Sequence, residues 1–302
     1  MFSLELAVLL HRALESRVET LMHLLSAPGW QEDPDALHDV RVASRRVRAV
    51  LDLVEPDLYP GLKGQARKLR RLTRALALTR EQDVHMAILG ELGRRVPELS
   101  GSPALEYLLE EIGRRLGKAR RAMARDLECL DWKHLPRLLQ VPSLPDPFRP
   151  GDLAGAVWAC LEPWLDAAFP TETLLDRDDA PELHALRIRV KRLRYALEVL
   201  GPGFPVPPEA QLKHLRDLQT ALGDHHDRAT LQAFLIRLRQ GLAERGRVHL
   251  AAGAGAFLDH LGEERLIAFE QFRALGLCQT REAFIAGLRR SLGLDPGAPV
   301  IP

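Results

Sequence analysis

The chain has 302 residues, a formal net charge of +1, and a composition that is 46% hydrophobic, 27% charged and 5% aromatic. That apolar fraction is enough for a sizeable core and excludes a disordered chain, while the near-zero charge excludes a globally basic protein of histone type. Few aromatic and β-branched residues, beside abundant Ala, Leu, Arg and Glu, favour helix over strand.

The first predicted helix covers 2–26. Its apolar stretch carries Glu5 and lacks a basic lead, so it reads as an amphipathic helix and not as a secretory signal. Helices are then expected over 34–55, 60–95 and 102–130, with breaks at Pro28-Gly29, Pro56 to Gly61 and Ser100 to Pro103. A Pro-rich connection, VPSLPDPFRPG, occupies 141–151. Beyond it helices are expected over 152–169, 179–200, 206–240, 245–275 and 280–292. No apolar run approaches the ~18 residues of a membrane span, and the expected compartment is the cytoplasm. Cys129, Cys160 and Cys278 are isolated, with neither metal-ligand nor redox spacing, and are expected to be buried or unreactive.

The chain contains an internal repeat. Residues 37–56 read LHDVRVASRRVRAVLDLVEP and residues 183–202 read LHALRIRVKRLRYALEVLGP. A constant offset of 146 pairs His38 with His184, Arg41 with Arg187, Arg45 with Lys191, Arg46 with Arg192 and Arg48 with Arg194. Downstream, LTREQDV at 78–84 pairs with LGDHHDR at 222–228 at an offset of 144. The expected organisation is all-α: two four-helix bundles related by a pseudo-twofold, over 1–140 and 152–302, joined by the linker.

On a helix turning about 100° per residue, His38, Arg41, Arg45 and Arg48 fall within a sector of about 80°. Val40, Val47, Val50, Leu51 and Val54 fall on another face. His184, Arg187, Lys191 and Arg194 repeat the stripe, joined by Tyr195 and Glu198, with Glu198 expected to pair with Arg194 at i+4. Lys63, Arg67, Arg70 and Arg74 form a further stripe, as do Arg114, Lys118, Arg121 and Arg125. The counterpart helix of the second half offers mainly Lys213, His214 and Arg216. Between 41 and 74 there are ten Lys/Arg and three Asp/Glu, an excess of seven. Charge runs are ordinarily solvated faces laced with ion pairs. Acids are missing from these stripes, and two self-repelling ridges at equivalent places make sense if a polyanion neutralises them.

The pattern H-x-x-R-[VI]-x-x-[RK]-R-[VL]-R, at 38–48 and 184–194, resembles the CHAD family (conserved histidine α-helical domain). ALALTREQDV at 75–84 and LQTALGDHHD at 218–227 are similar to that family's later signatures, with Thr79 where Gly is more usual. The resemblance runs from about residue 3 to 292. It implies basic helices lining a central cavity or pore, a ligand that is inorganic polyphosphate, and association with polyphosphate granules. The expected site residues are the His, Arg, Lys and Tyr members of the four stripes above together with Arg46, Arg192, Lys213 and His214. No strand-rich triphosphatase module accompanies the repeat, so a stand-alone binding protein with no cofactor is expected.

Polyphosphate has no base edges or ring faces, so its site needs convergent donors and no aromatic platform. A single-stranded nucleic-acid groove would interleave stacking residues, and nucleic acid is expected only as a weaker competitor. Tyr195 is the only aromatic on a stripe; Trp30, Trp132, Trp158 and Trp164 are expected away from them. The sequence leaves room for a homodimer.

His38 and His184 head the stripes, where a phosphate donor fits better than a ligand to a cation. His38-Asp39 has the dipeptide of helical metal phosphohydrolases, but its counterpart is His184-Ala185. Asp224-His225-His226-Asp227 resembles the Asp-His-His motif of certain phosphoesterases, yet its first-half counterpart is Arg80-Glu81-Gln82-Asp83. Asp83 and Asp227 are expected to brace turns or hold arginines, and His225 and His226 to add donors. No metal site and no catalytic group is expected; one alternative is a polyphosphate- or triphosphate-metabolising enzyme or its accessory subunit, and another is a nucleic-acid or nucleoid-binding protein.

Overall fold

The computed structural model describes residues 4–53, 62–130, 151–169, 172–278 and 280–295. Among these every regular element is helical. In chain order they are α1 (Leu4–Ser26), α2 (Pro34–Leu51), α3 (Leu62–Ala75), α4 (Ala77–Arg95), α5 (Pro103–Leu130), α6 (Leu153–Leu165), α7 (Glu172–Asp176), α8 (Ala180–Leu200), α9 (Glu209–Glu244), α10 (Val248–Cys278) and α11 (Arg281–Leu292). No helix of the described residues is long and apolar enough to cross a membrane.

The repeated segments are α2 and α8, and both are started by the same device. Asp33 caps α2, its carboxylate accepting from the Asp35 and Ala36 N–H groups, with Pro34 opening the helix. Asp179 caps α8, accepting from the Glu182 N–H, with Pro181 in the first turn. A side-chain acceptor satisfies orphan donors, and proline gives up a donor the first turn cannot use. Each cap stands five residues before its histidine, so both stripes start at the same helical phase. The opposite faces enter the core: Leu37, Val40, Ala43, Val47 and Val50 of α2, and Leu183, Leu186, Val190, Leu193 and Leu197 of α8.

Two features differ from expectation. The helix expected over 60–95 breaks at Leu76 into α3 and α4, whereas its repeat counterpart α9 runs unbroken for 36 residues. Thr79 is fully buried there, its hydroxyl on the Met123 sulfur of α5, where the counterpart in α9 is Gly223. The cores also do not divide at the linker. The larger one joins Leu6, Leu10 and Leu14 of α1 and Val40 and Val47 of α2 to Leu186, Val190 and Leu197 of α8 and Phe272 and Phe284 of α10 and α11. The smaller one is built by Leu89 and Leu92 of α4, Leu108 and Ile112 of α5, Leu231 and Leu235 of α9, and Phe257 and Leu261 of α10. Each buries surface from both halves, because antiparallel helix pairs of each half present their apolar stripe to the other half as well as to each other.

Candidate anion-binding cleft

Helices α2 and α8 pack with their stripes turned toward one another. Arg41 and Arg45 both lie within electrostatic reach of Arg187, and Lys191 lies within reach of Arg41, Arg45, Arg48 and Arg187. Arg45, Arg48, Lys191 and Arg192 line a cleft of about 150 Å³, together with Asp52, Trp164, Ile188 and Tyr195. Asp52 is the single carboxylate in that wall.

Burial, then mutual repulsion, governs the acidity of these groups. Burial followed by the Arg45, Arg187 and Arg80 guanidiniums pulls Arg41 down to about 10. Burial followed by four guanidiniums pulls Lys191 down to about 7. Arg45 and Arg48 are lowered chiefly by burial, with Tyr195 partly offsetting this at Arg45 and Asp52 at Arg48. His38 is lowered by burial and by Arg80 and Arg41; His184 by burial and by Arg187 and Lys191. Among the described residues none of Arg41, Arg45, Arg48, Arg187, Lys191 and Arg192 forms an ion pair. The Nδ1 atoms of His38 and His184 and the Nε atoms of Arg41, Arg48 and Arg187 are buried without a hydrogen-bond partner in the protein. Five polar atoms that would ordinarily be satisfied thus lie on the two facing stripes.

The remaining sequence-predicted residues fall into three groups. Arg194 is taken up within the protein, pairing with Glu198 as expected, donating to the Gln219 carbonyl and lying over Tyr195 at 4.5 Å. Arg70 and Arg74 of α3 are exposed and extend the cationic surface from Arg48, and Arg67 is exposed on the same helix; the side chain of Lys63 lies outside the described residues. Arg46 faces away, into a separate groove with Arg17, Asp39 and Glu198. Arg114, Lys118, Arg121 and Arg125 are exposed along α5, with Arg114 paired to Glu111, an ordinary solvated helix face. Lys213 is exposed and paired to Asp217. His214 is buried beside Phe284 of α11.

Other residues complete the cleft's far end. Arg80 of α4 lies within reach of His38 and Arg41. The rings of His184 and His226 stack with centroids 4.1 Å apart, and burial followed by His184 and Arg187 pushes His226 down to about 4. Asp227 lies near Arg187, Arg80 and Arg228, and Asp83 near Arg120 and Arg80. Both carboxyls are raised by burial, and both sit where they can hold arginines in place. His225 is committed elsewhere, at 2.6 Å from Asp178, which also receives Arg265. The dipeptides considered as metal motifs are therefore split: Asp39 lines the other groove, and His225 and His226 face different partners. Among the described residues no group of three or more His, Cys, Asp or Glu is placed to hold a metal ion.

Two smaller expectations change. Trp164 was expected away from the stripes but stands in the cleft wall; Trp30 is core, Trp158 lies under Arg289, and Trp132 is outside the described residues. Cys129 and Cys278 are exposed thiols, with Cys160 half-buried.

The family model for the CHAD domain matches residues 13–236. The chain belongs to the CHAD family. The match spans both stripes, α4 and most of α9, and stops before α10 and α11. Two solved structures share the fold. The chain is 22% identical to the CHAD domain of the plant Ricinus communis, with a TM-score of 0.64 over 91% of this chain and 92% of that one. It is 19% identical to PptA from Streptomyces chartreusis, with a TM-score of 0.65 over 89% and 98%. No curated protein matches the chain.

Proposed function

We propose that this CHAD protein binds inorganic polyphosphate without transforming it, through a basic channel whose walls are the duplicated helices α2 and α8. The observation that carries this reading is the facing of Arg41, Arg45 and Arg48 against Arg187, Lys191 and Arg192 with one carboxylate, Asp52, in the cleft wall. Three guanidiniums and one amine line one hollow, with those of Arg41 and Arg187 within electrostatic reach, and they repel each other until an anion enters. Guanidinium forks match phosphate oxygens two at a time, and 36 of the 42 basic residues are arginine. A linear anion satisfies neighbouring cations with neighbouring phosphates, so affinity rises with chain length and falls with salt. The exposed Arg67, Arg70 and Arg74 of α3 offer a continuation for a longer chain, and granule association follows from the same contact.

Binding of defined polyphosphates tests the reading. Long chains are expected to bind far more tightly than orthophosphate, with no phosphate released in Mg²⁺ or Mn²⁺. Equal affinity for orthophosphate and long chains would overturn it, and release of phosphate would favour the enzymatic alternative. Trp164 in the wall gives nucleic acid a stacking surface, so competition with single-stranded DNA or RNA at fixed salt is informative. Polyphosphate is expected to displace either one.

A further inference from the structure

Among the described residues lining the cleft, Lys191 is the single amine; every other cation there is a guanidinium. The distinction matters chemically, because near neutral pH a guanidinium keeps its proton and an amine can give it up. Lys191 is half-buried in the cleft wall, with Arg45 and Arg48 of α2 and Arg192 of its own helix lining the same space. An anion drawn in by those arginines would share the cleft with Lys191. Lys213, by contrast, is exposed and paired with Asp217.

We infer that Lys191 is a site of acylation by acyl phosphates, whose phosphoryl end the surrounding arginines would seat. The inference rests on the anion-binding reading above. In the reaction the neutral Nζ attacks the acyl carbon. The N–C bond forms, the C–O bond to phosphorus breaks, inorganic phosphate leaves with its electron pair, and the nitrogen loses a proton to water. The groups facing Nζ favour its neutral form: Arg45, Arg187, Arg41 and Arg48 lie within reach, as does His184. Asp52 is the only carboxylate in the wall, and Tyr195 its only phenol. The product amide has no charge, so the modification would remove one cation from the cleft and lower its hold on a polyanion.

The test is incubation of the full chain with acetyl phosphate at pH 6, 7 and 8, with acetylation at each lysine followed by peptide mass spectrometry. Acetyl-Lys191 is expected to form at least about tenfold faster than acetyl-Lys213, since an anchored phosphate raises the local concentration of the ester. The rate is expected to rise steeply between pH 6 and 8, and long-chain polyphosphate is expected to suppress it. Lys191 reacting no faster than Lys213, or reacting at a rate indifferent to polyphosphate, would overturn the inference. Calorimetric titration of the same preparation with polyphosphate separates the two readings. Binding with an inert Lys191 sinks the acylation alone, and no binding with an inert Lys191 sinks both.

Discussion

Arg41 and Arg187, the same residue of the two repeats, face one another across the contact between α2 and α8, and each depresses the acidity range of its surroundings. A repeat that brings a cation onto its own copy raises the energy of the unliganded fold unless something compensates. Around Arg187 part of the compensation is internal, from Asp227. Around Arg41, Arg45 and Lys191 it is left to a ligand.

The stability of the free protein should therefore depend on pH in a defined direction. Lys191 is lowered to about 7 in the folded state, from an ordinary value of 10.5. Between these values the unfolded chain holds more protons than the folded one, so stability rises with pH across that window. His38 and His184 are also lowered, so stability is lost as the pH falls through and below 6.5. Thermal unfolding of the free protein from pH 5.5 to 9.5 is expected to show a rising Tm, flattened when polyphosphate is present. A Tm that is level or falls with pH would contradict this.

Binding should have the opposite dependence. A bound phosphate favours the charged forms of His38, His184 and Lys191 and recruits protons onto them. Affinity for polyphosphate is expected to tighten as the pH falls from 8 to 5.5 at constant salt, with proton uptake visible as buffer-dependent heat. An affinity flat over that range would remove the histidines from the site.

Gly223 gives a third prediction. A Cβ built there meets Arg187 at 3.5 Å, an ordinary contact. Gly223→Ala should fit and gain roughly 0.5–1 kcal/mol from helix propensity, with binding unchanged. Gly223→Leu has to displace the Arg187 guanidinium, and is expected to weaken binding more than it changes Tm. Equal effects of both substitutions on affinity would show that Arg187 does not depend on this approach.

The mixed cores predict that the halves fold together. Residues 1–140 and 152–302 made separately each lack two of the four helices around Leu108, Phe257 and Leu235. Each half is expected to be unstable alone and to assemble when the two are co-expressed. Phe257→Ala should cost about 3–5 kcal/mol by opening a cavity in that shared core.

Much of this was legible in the residues. The apolar faces of α2 and α8 and the two His-headed stripes follow from helical spacing alone. Spacing says which residues share a face but not what that face meets. The α5 stripe has the same spacing as Lys63 to Arg74 and both faces are exposed, but Arg70 and Arg74 lie within reach of Arg48 whereas Arg114 meets Glu111, an acid one turn away that spacing ignored. Arg46 directly follows Arg45, and that one step of about 100° is enough to send it into another groove. Arg80 and His226 carry no stripe of their own; they join the site because α4 and α9 cross there, a tertiary fact. The break at Leu76 has neither Pro nor Gly to announce it. The sharing of both cores between halves is equally silent in a repeat, since identical stripes can pack within a copy or across copies.

The central claim is that Arg45 and Lys191, paired by the repeat, converge on one chain of phosphates. Titration calorimetry of a defined long polyphosphate, comparing wild type with Arg45→Glu/Lys191→Glu, tests it most directly. Two charge-assisted contacts at about 1.5–3 kcal/mol each set the expected loss at about a hundredfold or more, with a shallower salt dependence and an unchanged fold. An affinity and salt dependence equal to those of wild type would contradict the account.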